Sequence, residues 1–361
     1  MNELWQSILK IAGFFGGAFL LSVVINSFLL KFALSLGIRN RNQHQIRWTE
    51  DARPSLGGVS FYISFLIGFI FYAIIFGQSD VFRNEQLLGL FFGTTLAFLL
   101  GLSDDAYDTR PKIKFAVQVT CSVILVLTDS CVELFPWDWL NIAITILWTV
   151  GIMNSINMLD NMDAITTVTS LSILAAIIGI SIPFDMVDNV HLFLIVTLLG
   201  ALSGFLIFNW NPARMFMGDT GSQFLGFFLS FFSIRFLWNH GIEIGEYSIF
   251  SNLTLVLIAF SIPIIDTTFV VFRRISRGKS PLIGGRDHTT HTLSYKGMTD
   301  KQVGFVYCLL GIVTGLLALN VAKYMPTDSL SLLLIWIYVI SLLIFFFWLA
   351  RGTYRNELKG K

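Results

Sequence analysis

Long apolar stretches, each closed by a short polar connection, recur from one end of the chain to the other. A window of about 19 residues picks out eleven of them, at 9–35, 57–77, 86–103, 113–128, 139–156, 165–183, 190–208, 220–238, 249–272, 303–323 and 329–350. Runs of this length match the roughly 20 helical residues that cross the roughly 30 Å hydrocarbon layer of a bilayer. Lipid offers no partner to an exposed peptide group, so such runs are predicted to be helices. The expected fold class is all-α, a polytopic membrane bundle of about eleven transmembrane helices forming one domain over 1–361. The first run has no small-residue cleavage pattern and reads as a retained span, not as a signal peptide.

Composition agrees and excludes other classes. Charged residues make up 13 % of the 361 and hydrophobic ones 55 %, where a soluble globular chain carries roughly 25 % charge. A soluble domain, a disordered chain, a coiled coil and a nucleic-acid binder are all ruled out. Cys121, Cys131 and Cys308 form no C-x-x-C pair, which suggests neither a disulfide framework nor a thiolate metal site. The net charge of +1 is uninformative; the placement of the basic residues is not. They gather after the odd-numbered runs: Arg39, Arg41, Arg47 and Arg53; Arg110, Lys112 and Lys114; Arg214; Arg273, Arg274, Arg277, Lys279 and Arg286; Arg351 and Arg355. Basic connections stay in the cytoplasm. The amino terminus is therefore expected outside and the carboxyl terminus inside, in a multi-pass protein of the cell's inner (cytoplasmic) membrane.

The dense polar motifs fall in those same connections. Gly101-Leu102-Ser103-Asp104-Asp105-Ala106-Tyr107-Asp108 closes the third run. Two adjacent carboxylates at a membrane edge repel one another and lose hydration, so they call for a cation or a shared proton; a solvated loop is the plainer alternative. Asn154-Ser155-Ile156-Asn157-Met158-Leu159-Asp160-Asn161-Met162-Asp163 follows the fifth run. Its spacing of three places Asn157, Asp160 and Asp163 on successive turns of one helical face, a ladder of oxygen ligands suited to a cation or a metal-bound phosphate, or else capping and surface polarity. Phe216-Met217-Gly218-Asp219-Thr220-Gly221-Ser222-Gln223 precedes the eighth run. There Gly218 permits a tight turn, the opening amides of a helix can face phosphate, and Asp219 can hold a metal; an N-cap with turn glycines explains the same pattern. Beyond the ninth run, which contains Asp266, lies Gly284-Gly285-Arg286-Asp287-His288-Thr289-Thr290-His291. Arg286 offers a fork for phosphate, and His288 and His291 stand three apart, although a third ligand for a zinc site is missing. Arg273 and Arg274 read as topological charges. Lys114 is a further phosphate contact or a snorkelling side chain.

Taken in order, these motifs, with Arg53-Pro54-Ser55-Leu56-Gly57-Gly58 ahead of the second run, resemble those of the polyprenyl-phosphate N-acetylhexosamine-1-phosphate transferases, the WecA/MraY superfamily. The likeness covers roughly residues 40–295. It implies transfer of a sugar-1-phosphate from a UDP-sugar, usually a UDP-N-acetylhexosamine such as UDP-GlcNAc, to a polyprenyl phosphate, with release of UMP and a requirement for Mg²⁺, or Mn²⁺ in its place. By the same resemblance Asp104 and Asp105 are the catalytic pair, Asp219 and Asn157 the metal side, and Lys114, Asp160, Asp163, His288 and His291 substrate contacts; the residue pattern itself adds Asn154, Gly218 and Arg286 to the expected substrate contacts. Loops near 36–56, 104–113, 157–164, 209–219 and 273–302 would form the site. Asn161 and Ala164 depart from the family, which often has glycine there; the histidines are not adjacent and the triple-His form of the MraY branch is absent, which favours the WecA-like branch. Partners would be the two substrates and the membrane, with no nucleic acid; a homodimer is admitted, not required. The competing class is a multispan secondary transporter with an acidic ion site at its cytoplasmic end, against which stand the absence of a repeat and the gathering of motifs at one face.

Overall fold

The computed structural model describes residues 2–35, 53–75, 83–182, 189–240, 249–280, 284–324 and 329–351. The stretch 36–52 of the first predicted loop, with Arg39, Arg41 and Arg47, and residues 281–283 of the last lie outside the described residues, as does Arg355. Among the described residues each of the eleven apolar runs falls on helix. The helices are α1 (Asn2–Ser35), α2 (Gly57–Ile75), α3 (Glu85–Tyr107), α4 (Pro111–Leu127), α5 (Asp138–Leu159), α6 (Ile165–Ser181), α7 (Asn189–Asn209), α8 (Gly218–Ser233, continued by a π turn, Ile234–Trp238), α9 (Ile249–Ala259), α10 (Ser261–Ser276), α11 (Thr289–Tyr295), α12 (Asp300–Tyr324) and α13 (Ser329–Leu349). Among the described residues six helices are long and apolar enough to cross a membrane alone, or seven if α9 and α10 make one span.

The ninth run departs from the expected continuous helix: α9 and α10 meet at a bend of 78°. Pro263, in the first turn of α10, has no N–H to donate to the Ala259 carbonyl, so the ladder is interrupted there, although Phe260 itself donates to Val256 O (3.0 Å) and accepts from Ile264 N (3.1 Å).

The eighth run is the axis of the bundle. Every residue of α8 except Asp219 is buried. Its phenylalanines repeat every fourth position, and Phe224, Phe228, Phe232 and Phe236 stack along one side with ring centroids 4.6–6.1 Å apart. Phe65 of α2 packs edge-on against two of them. Where lipid replaces water, helices associate through close packing and small residues, not through expelling solvent. The end of α8 that carries Asp219 shows this most clearly. A methyl group at Gly101 of α3 would stand 2.2 Å from the Asp219 carbonyl oxygen, and one at Gly58 of α2 would stand 2.2 Å from Gly221 N. Glycine is thus required at both crossings.

Candidate active site

The close crossing of α3 and α8 sets two carboxylates beside one ammonium. Asp104, 1 % exposed, lies in the last turn of α3, and the amide of Thr109 donates to its Oδ1 (2.8 Å). Pro111 opens α4 with φ already fixed for a helix and brings Lys114 round within the first turn. Its Nζ touches Asp104 Oδ2 and donates to Asp219 Oδ2 (3.1 Å). Two carboxylates, from α3 and α8, therefore share one cation from α4.

Asp105 faces the other way. The amide of Asp219 donates to its Oδ1 (3.0 Å), and the amide (2.9 Å) and hydroxyl (2.7 Å) of Thr220 donate to Oδ2. The opening amides of α8, expected to meet a phosphate, meet this carboxylate instead. Gly218, expected among the substrate contacts, lies where that carboxylate meets the helix. The residue has φ +73°, and a Cβ there would lie 2.6 Å from Asp105 Oδ2. Its task is to let the carboxylate approach the helix end.

A row of amides backs this centre. Asn154 Nδ2 donates to Gln118 Oε1 (2.8 Å), Gln118 Nε2 to Gln223 Oε1 (3.1 Å), and Asn157 Nδ2 to Ser222 Oγ (2.9 Å). Gln118 was not among the residues expected from sequence. The signal was its position one turn beyond Lys114, on the same face of an otherwise apolar helix.

The helical ladder of Asn157, Asp160 and Asp163 does not form as expected. The α5 helix stops at Leu159, Asp160 is its C-cap, and Ala164 adopts a left-handed conformation (φ +67°) before α6 begins. This reversal turns Asp163 inward. Its Oδ2 receives Arg53 Nη1 (3.4 Å), Asn211 Nδ2 (2.9 Å) and the Ala213 amide (2.9 Å). Asp163 thus clasps two loops together. The segment it holds is fastened again by a parallel bridge between Ser55 and Phe216, with Phe216 N donating to Pro54 O (3.0 Å).

The histidine segment docks on the same side. Thr290 Oγ1 donates to Asn161 Oδ1 (2.5 Å), joining it to the turn after α5. Arg274 holds Asp287 with two bonds, Nε to Oδ2 (2.9 Å) and Nη2 to Oδ1 (2.7 Å), while Arg273 Nη1 donates to the Asp287 carbonyl (3.3 Å). These arginines, read from sequence as topological charges, are both 5 % exposed and anchor the loop. Burial alone would raise the Asp287 carboxyl, but the paired guanidinium overrides it and holds the group below the usual carboxylate range. His291 is 2 % exposed, and its Nδ1 accepts from the His288 amide (3.4 Å). Burial, then the neighbouring His288, keep its imidazole well below the ordinary histidine range, so it braces the segment internally. His288 Nδ1 lies 2.8 Å from Asp266 Oδ2. Arg286 is partly buried, and its carbonyl accepts from the Tyr295 hydroxyl (3.1 Å).

Residues 87–237, from α3 to the π turn, match the model of glycosyl transferase family 4. Over that stretch the chain is similar to this family. The family 4 match contains Asp104, Asp105, Lys114, Asn157 and Asp219; Asp266 and the histidine segment lie beyond it. Similarity to single proteins reaches further. The chain is 27 % identical over 348 residues to the "probable undecaprenyl-phosphate N-acetylglucosaminyl 1-phosphate transferase" of Bacillus subtilis, covering 93 % of this chain and 91 % of that one. It is 28 % identical to the phospho-N-acetylmuramoyl-pentapeptide-transferase of Staphylococcus carnosus, covering 84 % and 96 % respectively. The corresponding enzyme of Staphylococcus saprophyticus is 29 % identical over 80 % of this chain.

The site around Asp104, Lys114 and Asp219 fits a hard divalent cation by its donor chemistry. Among the described residues no group of three or more His, Cys, Asp or Glu side chains is arranged as a complete metal cage. Mg²⁺ does not ask for one, since it binds through one or two carboxylates and takes its other ligands from substrate phosphate and water. The carboxylates of Asp104 and Asp219 already face a common positive charge, that of Lys114, with the amide of Asn157 close by on Ser222.

Proposed function

We propose that the chain transfers N-acetylhexosamine-1-phosphate from a UDP-sugar to a polyprenyl phosphate at the cytoplasmic face of the inner membrane, releasing UMP and starting a lipid-linked glycan for cell-wall or polysaccharide synthesis. One observation carries the reading: Lys114 is shared between Asp104 and Asp219 at the end of a helix whose other residues are all buried. The placement suits two phosphate-bearing substrates, one from the lipid and one from water. The non-adjacent histidines and the extent of the likeness to the B. subtilis relative support the WecA-like branch and a UDP-GlcNAc-type donor.

In this reading an oxygen of the acceptor phosphate attacks the sugar-bearing phosphorus of the donor. A new P–O bond forms, the bond to the bridging oxygen breaks, and UMP departs with that oxygen. A phosphate monoester has its second pKa at about 6, so the acceptor is largely ionised at neutral pH and needs no strong base. Asp104 is then the carboxylate nearest the reacting groups, and Asp105 holds the first turn of α8, and with it Asp219, in place. Asp219 and Asn157 would hold Mg²⁺, or Mn²⁺, which when bound would neutralise the donor pyrophosphate. Lys114 and Arg286 supply positive charge to the phosphates, and His288 meets the leaving phosphate. Asn154 supports the α5 end through Gln118, and Asp160 lies at its cap, facing the donor. The test is UMP release by purified protein supplied with UDP-GlcNAc, polyprenyl phosphate and Mg²⁺. Wild-type protein is expected to turn over and Asp219→Asn to lose activity by at least about 100-fold, the scale of removing a charged transition-state contact. Near-normal turnover in the variant would remove Asp219 from the metal side.

A further inference from the structure

Asp266 is an acid in the body of an apolar helix, 1 % exposed, outside the matched family stretch and outside the site residues expected from sequence. Ionisable groups so placed are costly and call for partners. Both its oxygens are engaged: Oδ2 with His288 Nδ1 at 2.8 Å, and Oδ1 with the Thr289 amide (2.9 Å) and the Thr289 hydroxyl. The Thr289 hydroxyl also lies 2.5 Å from the hydroxyl of Tyr307 on α12. An ionised carboxylate only accepts, and a hydroxyl carries one hydrogen. Thr289 therefore donates to Asp266, and Tyr307 must donate to Thr289. The chain of bonds runs in one direction, from α12 through the α11 cap to Asp266, and all four residues are at most 5 % exposed.

We propose that Asp266, backed by Thr289 and Tyr307, is a positioning residue that fixes the ring of His288 and commits its Nδ1 proton, leaving Nε2 as the nitrogen presented to the leaving phosphate. The role of His288 rests on the transferase reading above; the pairing itself does not. Two observations favour positioning over mere attachment of the loop. The loop is already anchored one residue earlier by the two-bond pair of Arg274 and Asp287. In addition, His288 Nε2 makes no hydrogen bond among the described residues, so the pairing orients a nitrogen that is still available.

The experiment combines kinetics with ¹⁵N spectra of histidine side chains, which number five and are assigned by a His288→Gln variant. In the wild type His288 is expected as the Nδ1-protonated form, and Asp266→Asn, nearly isosteric, abolishes that signature. For UMP release, Asp266→Asn lowers kcat about 10–100-fold, the range for losing an outer partner of a functional histidine, with KM nearly unchanged. Tyr307→Phe gives a smaller loss in the same parameter and guards against misfolding of the first variant. The double variant Asp266→Asn with His288→Ala is no slower than His288→Ala alone, because residues acting through one another are not additive. An unchanged kcat in Asp266→Asn, or losses that multiply in the double variant, overturns the proposal. If no UDP-sugar supports turnover in the wild type, the transferase reading fails by itself, and the spectrum still decides the pairing: a His288 protonated on Nε2 alone would refute it.

Discussion

Replacing Asp105 separates two explanations for the adjacent carboxylates. Asp105 accepts three hydrogen bonds from the first turn of α8, two from amides and one from a hydroxyl. Bonds to a charged group contribute about 1.5–3 kcal/mol each where water cannot replace them. This site is only partly buried, and helix caps of this kind are worth about 0.5–2 kcal/mol in proteins. Asp105→Ala removes all three acceptors and should cost about 2–3 kcal/mol, on the combined scale of a cap and a charged bond. Asp105→Asn keeps an acceptor but sets its NH₂ against an amide donor, and about 1 kcal/mol is expected on the cap scale. Activity should follow stability, because Asp219 is itself a residue of that first turn. A displacement of about 1 Å at a reacting group costs about 100-fold in rate. Unfolding in mixed micelles, followed by tryptophan fluorescence, is to be measured beside UMP release. A fall in kcat with no change in the unfolding midpoint of Asp105→Ala would refute the capping role and make Asp105 a reacting group.

Three further outcomes are expected. Gly218→Ala forces a side chain into φ +73° and against Asp105, so stability should fall by about 1–2 kcal/mol, the cost of a left-handed L-residue, with a parallel loss of turnover; unchanged thermal unfolding would contradict the geometry. Lys114→Met leaves Asp104 and Asp219 facing each other without their shared cation, so added Mg²⁺ should raise the melting temperature of the variant more than that of the wild type, while kcat falls. The anchoring of Asp287 depends on pH with a definite sign. Its carboxyl is held below the ordinary range in the fold, so its contribution is complete above an unfolded carboxylate value of about 3.9 and is lost as pH falls below that value. Asp287→Asn should therefore flatten the acid limb of the stability profile and leave the neutral region lower but level.

Much of the architecture was written in the spacing of apolar residues, because a bilayer imposes one length on every crossing element. Positions 57–77 and 220–238 mark α2 and α8 to within a few residues. Charge placement and motif order drew attention to Asp104, Lys114 and Asp219, and the structure brings those three together. What spacing alone did not reveal was direction. Asn157, Asp160 and Asp163 have helical spacing, yet the chain turns after Leu159 and sends Asp163 to Arg53, a residue 110 positions away. Asp104 and Asp105 are neighbours in sequence but face different helices, since one meets Lys114 of α4 and the other the amides of α8. Pro263 carried a readable sign of the break in the ninth run, and the hydropathy window averaged over it. Asp266 was visible as an isolated acid; its partners were not, because Thr289 and Tyr307 reach it only through the folding of α11 and α12 onto α10.

The clasp at Asp163 has a consequence for divergence. One carboxylate oxygen serves Arg53 from before α2, Asn211 from the α7–α8 loop and the backbone of Ala213. Losing the acid removes an acceptor from a guanidinium and an amide at once, and losing either partner leaves a nearly dry carboxylate short of a donor. Drift at these positions is therefore expected to be concerted: lineages that exchange Asp163 for a neutral residue should also have given up Arg53, and those that retain it should retain both donors.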